Sequence, residues 1–328
     1  MEGGEGAWQK GRLCAINLRV SEARQPPINA STRLCAVYGH PIAHSASPPM
    51  QNAGFAALRL NWQYLAFDVR PEDLGAAISG ARTMGFIGLN LTVPHKLLAM
   101  ELVHCLDASA RSWGAVNTIR FEAQDADGAW QPVGSFAEPP TPPVRAQGFN
   151  TDADAITRAL REDLGFEPRG ASVLVLGAGG AGRTAALKLA HDGVSRLFLV
   201  NRTMAKAEQA RNEVLRHWPR VAVALGYPEA GVDLILNATS LGLRAGDALP
   251  LDTRQFPLRR ARSVYDMIYR PAETPLLAAA RASGCRVANG LGMLLHQGTR
   301  SLEIWTGRPA PVEAMRRALE QSLDRTDD

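Results

Sequence analysis

The sequence has little cysteine, and what it has is widely spaced. Its 328 residues include four cysteines, Cys14, Cys35, Cys105 and Cys285, and no two of them form a Cys-x-x-Cys pair. This spacing excludes the common zinc motifs and the disulfide frameworks of small secreted domains. Because free cysteines persist in a reducing compartment, we expect a cytoplasmic protein without a metal site.

Long apolar runs and basic stripes are also lacking. No uninterrupted apolar stretch approaches the roughly 18–20 residues that span a membrane. The net charge of +4 is scattered, and the densest basic run, Arg259 to Arg262, is interpreted as a solvated face. We therefore expect neither a nucleic acid nor a membrane as a partner. Residues 1–33 resemble no targeting peptide and are predicted to be an N-terminal extension whose composition is compatible with disorder.

The length of 328 residues predicts two domains, because single cores seldom grow beyond roughly 250–300 residues. Strand and helix signals alternate along most of the chain, which predicts parallel strands joined by helical crossovers. The stretch from Phe121 to Gln147 is rich in proline and is predicted to be an irregular surface excursion. The regular predictions are strands at 34–38, 64–69, 85–91, 172–176 and 197–200, and helices at 47–58, 71–84, 152–164, 184–189 and within 292–323.

A glycine-rich segment, Gly177-Ala178-Gly179-Gly180-Ala181-Gly182, directly follows the apolar strand and opens an apolar helix. The glycines have the G-x-G-x-x-G spacing, in which the first permits a tight turn, the second lets the backbone approach a pyrophosphate, and the third lets helix and strand pack. Unpaired N–H groups at the helix start then favour the phosphates. This context predicts a dinucleotide site, and a purely structural glycine turn is the alternative.

The residues after the next strand predict which dinucleotide binds. An NAD site normally carries Asp or Glu at that point to bind the ribose 2′-hydroxyl. Here the sequence reads Asn201-Arg202-Thr203, without a carboxylate. Arg202 can pair with a 2′-phosphate, so NADP is the expected cofactor. The alternative is that Arg202 is an ordinary exposed turn residue.

Four polar segments lie where strands end or helices begin, the usual places for active-site groups. Hydroxyl, amide, cationic and acidic side chains occur together in them, as a polyhydroxylated carboxylate ligand would require. The segments are Gly39 to Pro48, Asn90 to Lys96, Gly114 to Thr118, and Gly148 to Asp152.

Taken together, these segments resemble the shikimate dehydrogenase family over nearly the whole span from Leu34 to Gly307. The resemblance includes four further segments: Asn237 to Ser240, Tyr265 to Pro271, Thr274 to Leu277, and Gly290 to Gln297. It implies an α/β fold with a discontinuous substrate-binding catalytic domain (34–153 and 290–328) and an inserted Rossmann-type NADP-binding domain (154–289). It also implies a monomer or homodimer that reversibly reduces 3-dehydroshikimate to shikimate with NADPH, in the pathway to chorismate and the aromatic amino acids.

The resemblance also implies roles for individual residues. Lys96 and Asp152 would form the catalytic pair, and the substrate would be held by Ser45, Ser47, Thr92, Asn117, Tyr269 and Gln297. The implied cofactor-binding residues are Gly177, Gly179, Gly180, Ala181, Gly182, Arg183, Asn201, Arg202, Thr203, Thr239, Met267 and Gly290.

Several of these side chains have plainer interpretations. Ser47 and Asp152 could be helix caps, and Lys96 could be a solvated lysine at a helix start. Gln297 lies in an apolar helical stretch, where a polar side chain needs a partner or a cavity. His40 and His44 are four residues apart, but Pro41 argues against the helix that would direct both at a metal.

The sequence departs from the family pattern in places. Gln51 stands where histidine is usual, although Asn52 is retained, and Ala153 and Ala155 replace common glycines. Three alternatives stay open: a quinate or dual quinate/shikimate dehydrogenase, a non-catalytic ligand-sensing relative, and a reductase of another small keto acid. The first often prefers NAD and has an acidic residue after the cofactor strand, which Asn201-Arg202-Thr203 lacks. The second should have lost the Lys96 and Asp152 pair or gained a DNA-binding segment, and the sequence shows neither.

Overall fold

A computed structural model of the chain describes residues 26–141, 143–244 and 246–324. Most of the predicted N-terminal extension, residues 1–25, lies outside the described residues, and regular structure begins at Arg33. The strands are β1 Arg33–Gly39, β2 Trp62–Asp68, β3 Gly88–Leu91, β4 Cys105–Leu106, β5 Thr118–Gln124, β6 Trp130–Pro132, β7 Val144–Phe149, β8 Ser172–Leu176, β9 Arg196–Val200, β10 Ala222–Leu225, β11 Val232–Asn237, β12 Ala261–Asp266 and β13 Arg286–Ala288.

The helices lie between and after these strands, and the described residues contain none that is long and apolar enough to cross a membrane. Single 3-10 turns occur at Pro71–Asp73, Val133–Ser135 and Leu258–Arg260. The α-helices are α1 Ser47–Ala57, α2 Leu74–Thr83, α3 His95–Leu98, α4 Ala108–Trp113, α5 Asp152–Leu164, α6 Gly180–His191, α7 Met204–His217, α8 Pro275–Ala282, α9 Leu291–Thr306 and α10 Val312–Asp324.

The first sheet is mixed, with strand order β2-β1-β3-β5-β7-β4 and β6 paired to β5. Strand β1 runs parallel to β2 and β3, whereas β5 is antiparallel to β3, β6 and β7. The expectation of an irregular excursion from Phe121 to Gln147 is therefore wrong, because this stretch contributes three antiparallel strands. Phe121 and Ala146 are fully buried partners across β5 and β7, and the prolines lie at the end of β6 and in the connection that follows it.

The second sheet is parallel throughout, with strand order β10-β9-β8-β11-β12-β13. Counted from β8, this is the order 3-2-1-4-5-6 of a Rossmann sheet. All five residues of β8 are buried, as its unbroken apolar sequence predicts for a strand covered on both faces. The connections diverge on either side of β8, so a crevice opens at the carboxyl ends of β8 and β11, where ligands bind in such sheets.

Two long helices connect the sheets. Helix α5 leads from β7 toward the second sheet. Helix α9 leads back to the first sheet and packs against α5. Helices α9 and α10 then pack on α1, which covers the first sheet. The approach is close at Gly54, where an added Cβ would lie 2.5 Å from Leu302 Cδ1. The first fold unit is thus built from both ends of the chain with the Rossmann sheet between them, which confirms the predicted fold class.

Candidate active site

A cavity of about 220 Å³ opens between the two sheets. Its lining comes from the carboxyl ends of β1 and β3, the loops before α1 and after β12, the first turns of α1, α3, α5 and α6, and the first two turns of α9. All eight residues predicted for catalysis or substrate binding line it: Ser45, Ser47, Thr92, Lys96, Asn117, Asp152, Tyr269 and Gln297. Three predicted cofactor residues, Ala181, Met267 and Gly290, line the same cavity.

The charged centre of the cavity is an ion pair. Lys96 Nζ donates to Asp152 Oδ2 at 2.7 Å, and the two side chains are 28% and 11% exposed. Asn117 Nδ2 donates to the other carboxylate oxygen at 2.9 Å. Asn117 is itself held because its Oδ1 accepts from the backbone N–H of Thr151 at 2.8 Å. Lys96 is therefore not an ordinary solvated lysine, since its ammonium sits beside a buried carboxylate.

The start of α5 leaves the Asp152 carboxylate free for this pair. The Asn150 side-chain oxygen accepts from the N–H groups of Asp152 and Ala153, both at 3.1 Å. Asn150 thus caps the helix, and Asp152 can point into the cavity instead of back at its own backbone. The interpretation of Asp152 as a helix cap is wrong for this reason.

The start of α1 brings two hydroxyls to the cavity. Ala46 occupies the N-cap position of α1, so the alternative role of Ser47 as the N-cap is wrong. Ser47 is instead the first helical residue, 7% exposed, and its N–H donates to Ser45 Oγ at 3.3 Å. Tyr269 reaches the same region from the loop after β12, and burial raises the pKa of its hydroxyl. A neutral phenol next to two serine hydroxyls can donate hydrogen bonds to an anion.

Thr92 and Gln297 reach the cavity from two different elements. Thr92 follows β3, where its N–H donates to the Tyr38 carbonyl at 2.9 Å and extends the pairing with β1. Gln297 lies on α9 and donates from Nε2 to the Leu294 carbonyl at 2.9 Å. The polar side chain in the apolar stretch of α9 therefore faces a cavity and is partly held by its own helix.

The glycine-rich loop lies at the carboxyl end of β8. Gly177 has a φ of +96°, which residues other than glycine rarely adopt, and a Cβ at Gly182 would lie 1.9 Å from the Gly177 carbonyl oxygen. Gly179 and Gly180 are exposed, and a Cβ at either would meet nothing within 4 Å. The loop thus has a tightly packed base and an open rim, and the rim is where the N–H groups at the start of α6 can receive a phosphate.

The remaining predicted cofactor residues line the carboxyl ends of neighbouring strands. Asn201 Oδ1 accepts from the Ala178 N–H at 2.9 Å and so supports the loop, while Arg202 and Thr203 are exposed. Thr239 follows β11 and donates to Asn237 Oδ1 at 2.8 Å. These residues fit a phosphorylated dinucleotide, because the loop is open and a free arginine replaces the usual carboxylate after β9.

Arg183 has partners within the protein. Its Nε donates to Glu213 Oε2 at 2.8 Å, and Nη1 donates to the Trp113 carbonyl at 2.8 Å. It therefore ties α6 to α4 across the two halves of the molecule, so a contact with a cofactor would come from its backbone or from the outer face of the guanidinium.

Sequence reasoning gave no role to two polar residues that the structure brings to the cavity. Asn90 and His44 both line it. Asn90 is 5% exposed and stands in a polar segment that was recognised, but its partners lie on distant elements. Only the presence of an amide in an apolar strand could have indicated it. Among the described residues, no group of three or more histidine, cysteine or carboxylate side chains could hold a metal.

Three family models match the chain. The shikimate dehydrogenase substrate-binding domain matches residues 37–119, the shikimate/quinate 5-dehydrogenase model matches residues 161–239, and the shikimate 5′-dehydrogenase C-terminal domain matches residues 290–320. The NADP(+) shikimate dehydrogenase of Geobacter metallireducens is 41% identical over 91% of this chain and 99% of its own.

Solved structures agree with this result. A shikimate dehydrogenase in complex with NADP+ has a TM-score of 0.77 and 34% identity, covering 91% of this chain and 98% of its own. A quinate dehydrogenase from Corynebacterium glutamicum, in complex with NAD, has a TM-score of 0.73 and 28% identity, covering 88% and 99%. With the cavity, the Rossmann strand order and the relative from Geobacter in agreement, the chain belongs to the shikimate dehydrogenase family.

Proposed function

We propose that the chain catalyses the reversible, NADPH-dependent reduction of 3-dehydroshikimate to shikimate. The observation that carries the proposal is the Lys96–Asp152 ion pair, 2.7 Å apart, in a cavity that also includes Ala181, Met267 and Gly290. A proton donor and the predicted cofactor residues thus line one cavity, as reduction of a ketone requires. The name of the Geobacter metallireducens relative and the absence of a carboxylate after β9 support NADP as the cofactor.

The proposed substrate contacts follow from the chemistry of the lining. Ser45, Ser47 and Tyr269 offer neutral hydroxyl donors on one side of the cavity and are assigned to the substrate carboxylate. Thr92, Asn117 and Gln297 are assigned to its hydroxyls. The cofactor is assigned to the glycine-rich loop, to Met267 and Gly290, and to the exposed residues after β9. The catalytic domain is assigned to residues 34–153 and 290–328, and the cofactor domain to residues 154–289.

In the proposed reaction, the protein handles the proton. The cofactor, when bound, supplies the hydride that reduces the ketone carbon. Lys96 Nζ then gives a proton to the alkoxide oxygen, and in the reverse direction it accepts the proton of the hydroxyl. Asp152 holds the ammonium through one oxygen, and Asn117 holds the carboxylate through the other, so that the Lys96 side chain keeps a single direction during turnover.

The alternatives differ in predictions that one set of assays can separate. The purified protein is assayed for oxidation of shikimate and of quinate, each with NADP+ and with NAD+. We expect turnover with shikimate and NADP+ to exceed the other three combinations. Preference for quinate would indicate the quinate enzyme, and binding without turnover would indicate a sensing relative. The cytoplasmic location and the monomeric or homodimeric state stay predictions.

A further inference from the structure

A buried polar cluster lies beneath the cavity and has no part in the proposed proton transfer. It consists of Tyr64 on β2, Asn90 on β3, Thr118 on β5 and Ser301 on α9, all at most 5% exposed. Asn90 Nδ2 lies 2.9 Å from Ser301 Oγ and 3.0 Å from Thr118 Oγ1, and these two oxygens are 2.8 Å apart. Three strands and a helix therefore meet at one side-chain amide.

The direction of the Asn90 amide is determined by its partners. Its Nδ2 lies 3.1 Å from the Asn117 carbonyl, which can only accept a hydrogen bond. The nitrogen must therefore face this carbonyl, and Oδ1 must face the Tyr64 hydroxyl, 2.8 Å away, which donates to it. The flipped amide would set its oxygen against the Asn117 carbonyl, so that two acceptors faced each other, and an unsatisfied buried group is costly.

The partners of this amide connect to residues that we assign to substrate and catalysis. Ser301 Oγ donates to the carbonyl of Gln297, one turn earlier on α9, at 2.9 Å. The Asn117 carbonyl that Asn90 holds belongs to the residue whose side chain orients Asp152. One amide thus joins two parts of the proposed site that are far apart in sequence, the Gln297 turn of α9 and Asn117.

We propose that Asn90 is a positioning residue for the reaction. The Asn90–Ser301 bond places Gln297 of α9 relative to Asn117 and Asp152. This role rests on the proposed function. Although Asn90 lines the cavity, both ends of its amide are engaged by protein groups. It therefore acts through its neighbours and not by reacting with the substrate. Its loss should misplace the substrate while leaving the cofactor site unaltered.

Two variants test the inference. Asn90→Asp has the same shape but, when ionised, cannot donate to the Asn117 carbonyl or to Ser301. Ser301→Ala removes the bonds that join α9 to Asn90 and Thr118. It leaves Asn90 bonded to Thr118 and the Asn117 carbonyl, so this variant keeps the test open if Asn90→Asp does not fold. Ile78→Ala serves as the control for lost stability. Ile78 is a buried residue of α2 and belongs to none of the elements that form the polar cluster.

The measurements are kcat, the KM of shikimate, the KM of NADP+ and Tm. We expect Asn90→Asp to lower kcat/KM for shikimate at least about tenfold, because small displacements in an active site can cost up to about a hundredfold. Ser301→Ala should raise mainly the KM of shikimate, and the KM of NADP+ should change by less than about twofold in both. Ile78→Ala should lower Tm without raising the KM of shikimate relative to the KM of NADP+.

The outcomes separate the inference from the function on which it rests. If the wild type oxidises shikimate and both variants behave like Ile78→Ala, the positioning role is overturned and the function stands. If the KM of NADP+ rises as much as that of shikimate, the cluster has a general structural role and the inference is again overturned. If the wild type does not oxidise shikimate, the proposed function fails, and the inference fails with it.

Discussion

Lys96 and Asp152 are 56 residues apart in sequence, yet their Nζ and Oδ2 atoms lie 2.7 Å apart at the centre of the cavity. Because Asn117 takes the second carboxylate oxygen, Asp152 has one oxygen for each partner. A lysine ammonium has three protons, and this pair uses one of them. The others remain available to a ligand oxygen in the cavity.

Replacing Lys96 with alanine is expected to reduce turnover severely. General acid–base catalysis is worth about 100- to 10,000-fold, so kcat should fall at least about a hundredfold. The NADPH dissociation constant, measured by fluorescence titration, should change little because Lys96 belongs to α3 and is not part of the glycine-rich loop that is assigned to the phosphates. Steady-state assays with shikimate measure kcat.

Lys96→Arg is the matched variant for this prediction. It keeps a cation beside Asp152, but a guanidinium does not release its proton near neutral pH. We expect it to retain the wild-type Tm better than the alanine variant while recovering little activity. Near-normal turnover in Lys96→Ala would falsify the role of Lys96 as the proton carrier.

Replacing Arg202 with aspartate should change cofactor preference. Arg202 is exposed at the carboxyl end of β9, where a 2′-phosphate is expected. The variant removes a charge-assisted partner and adds a repelling carboxylate, so the KM of NADPH should rise far more than that of NADH. Arg220→Asp, an equal charge change at an exposed position before β10, is the control and should affect neither strongly. Equal increases for both cofactors in Arg202→Asp would contradict the assignment.

The cofactor half of the fold was predictable because its signals are local. The buried strand β8 ends where Gly177 begins, and each feature can be read from a few adjacent residues. The three strands between Thr118 and Phe149 were not predictable in this way, because their stability depends on residues that are distant in sequence. Glu122 is 2% exposed and pairs with Arg145, 23 residues away, which local sequence does not reveal.

In the active site, too, the local features were predictable and the contacts between distant residues were not. The polar segments were identifiable because they follow strands, and the family resemblance supplied roles for Lys96 and Asp152. Their mutual distance was not predictable, and neither was the bond between Asn90 and Ser301, which are 211 residues apart. The capping of α5 by Asn150, which frees Asp152, likewise depends on the geometry of a turn and not on residue type alone.

The glycine-rich loop offers a paired prediction. A Cβ at Gly179 meets no atom within 4 Å, so Gly179→Ala should keep the wild-type Tm. The same methyl would stand where the backbone approaches the pyrophosphate, so the KM of NADPH should rise while that of shikimate stays nearly constant.

Gly182→Ala should behave in the opposite way. Its Cβ would lie 1.9 Å from the Gly177 carbonyl oxygen, so helix α6 must move away from β8 and Tm should fall. Thermal denaturation of both variants, with and without NADPH, distinguishes the two effects. A lower Tm in Gly179→Ala, or an unchanged one in Gly182→Ala, would show that the loop packs differently.

Tyr38 predicts how stability changes at alkaline pH. Burial raises the pKa of its hydroxyl from the usual 10 to about 12. The unfolded chain therefore loses this proton from about pH 10, whereas the folded chain keeps it up to about pH 12. The stabilisation is complete below pH 10 and is lost as the pH rises toward 12, at about 1.4 kcal/mol per pH unit for one proton.

Tyr38→Phe should weaken this dependence. The variant keeps the edge-on contact with Phe67, whose ring centroid lies 5.8 Å away, and removes the ionisable hydroxyl. Urea denaturation at a series of pH values between 8 and 12 measures the free energy of unfolding of both proteins. We expect a shallower decline above pH 10 in the variant, with the remaining slope coming from other buried acids such as Tyr64 and Cys35, whose pKa values are raised as well. Identical slopes for the two proteins would mean that Tyr38 ionises equally in the folded and unfolded chains.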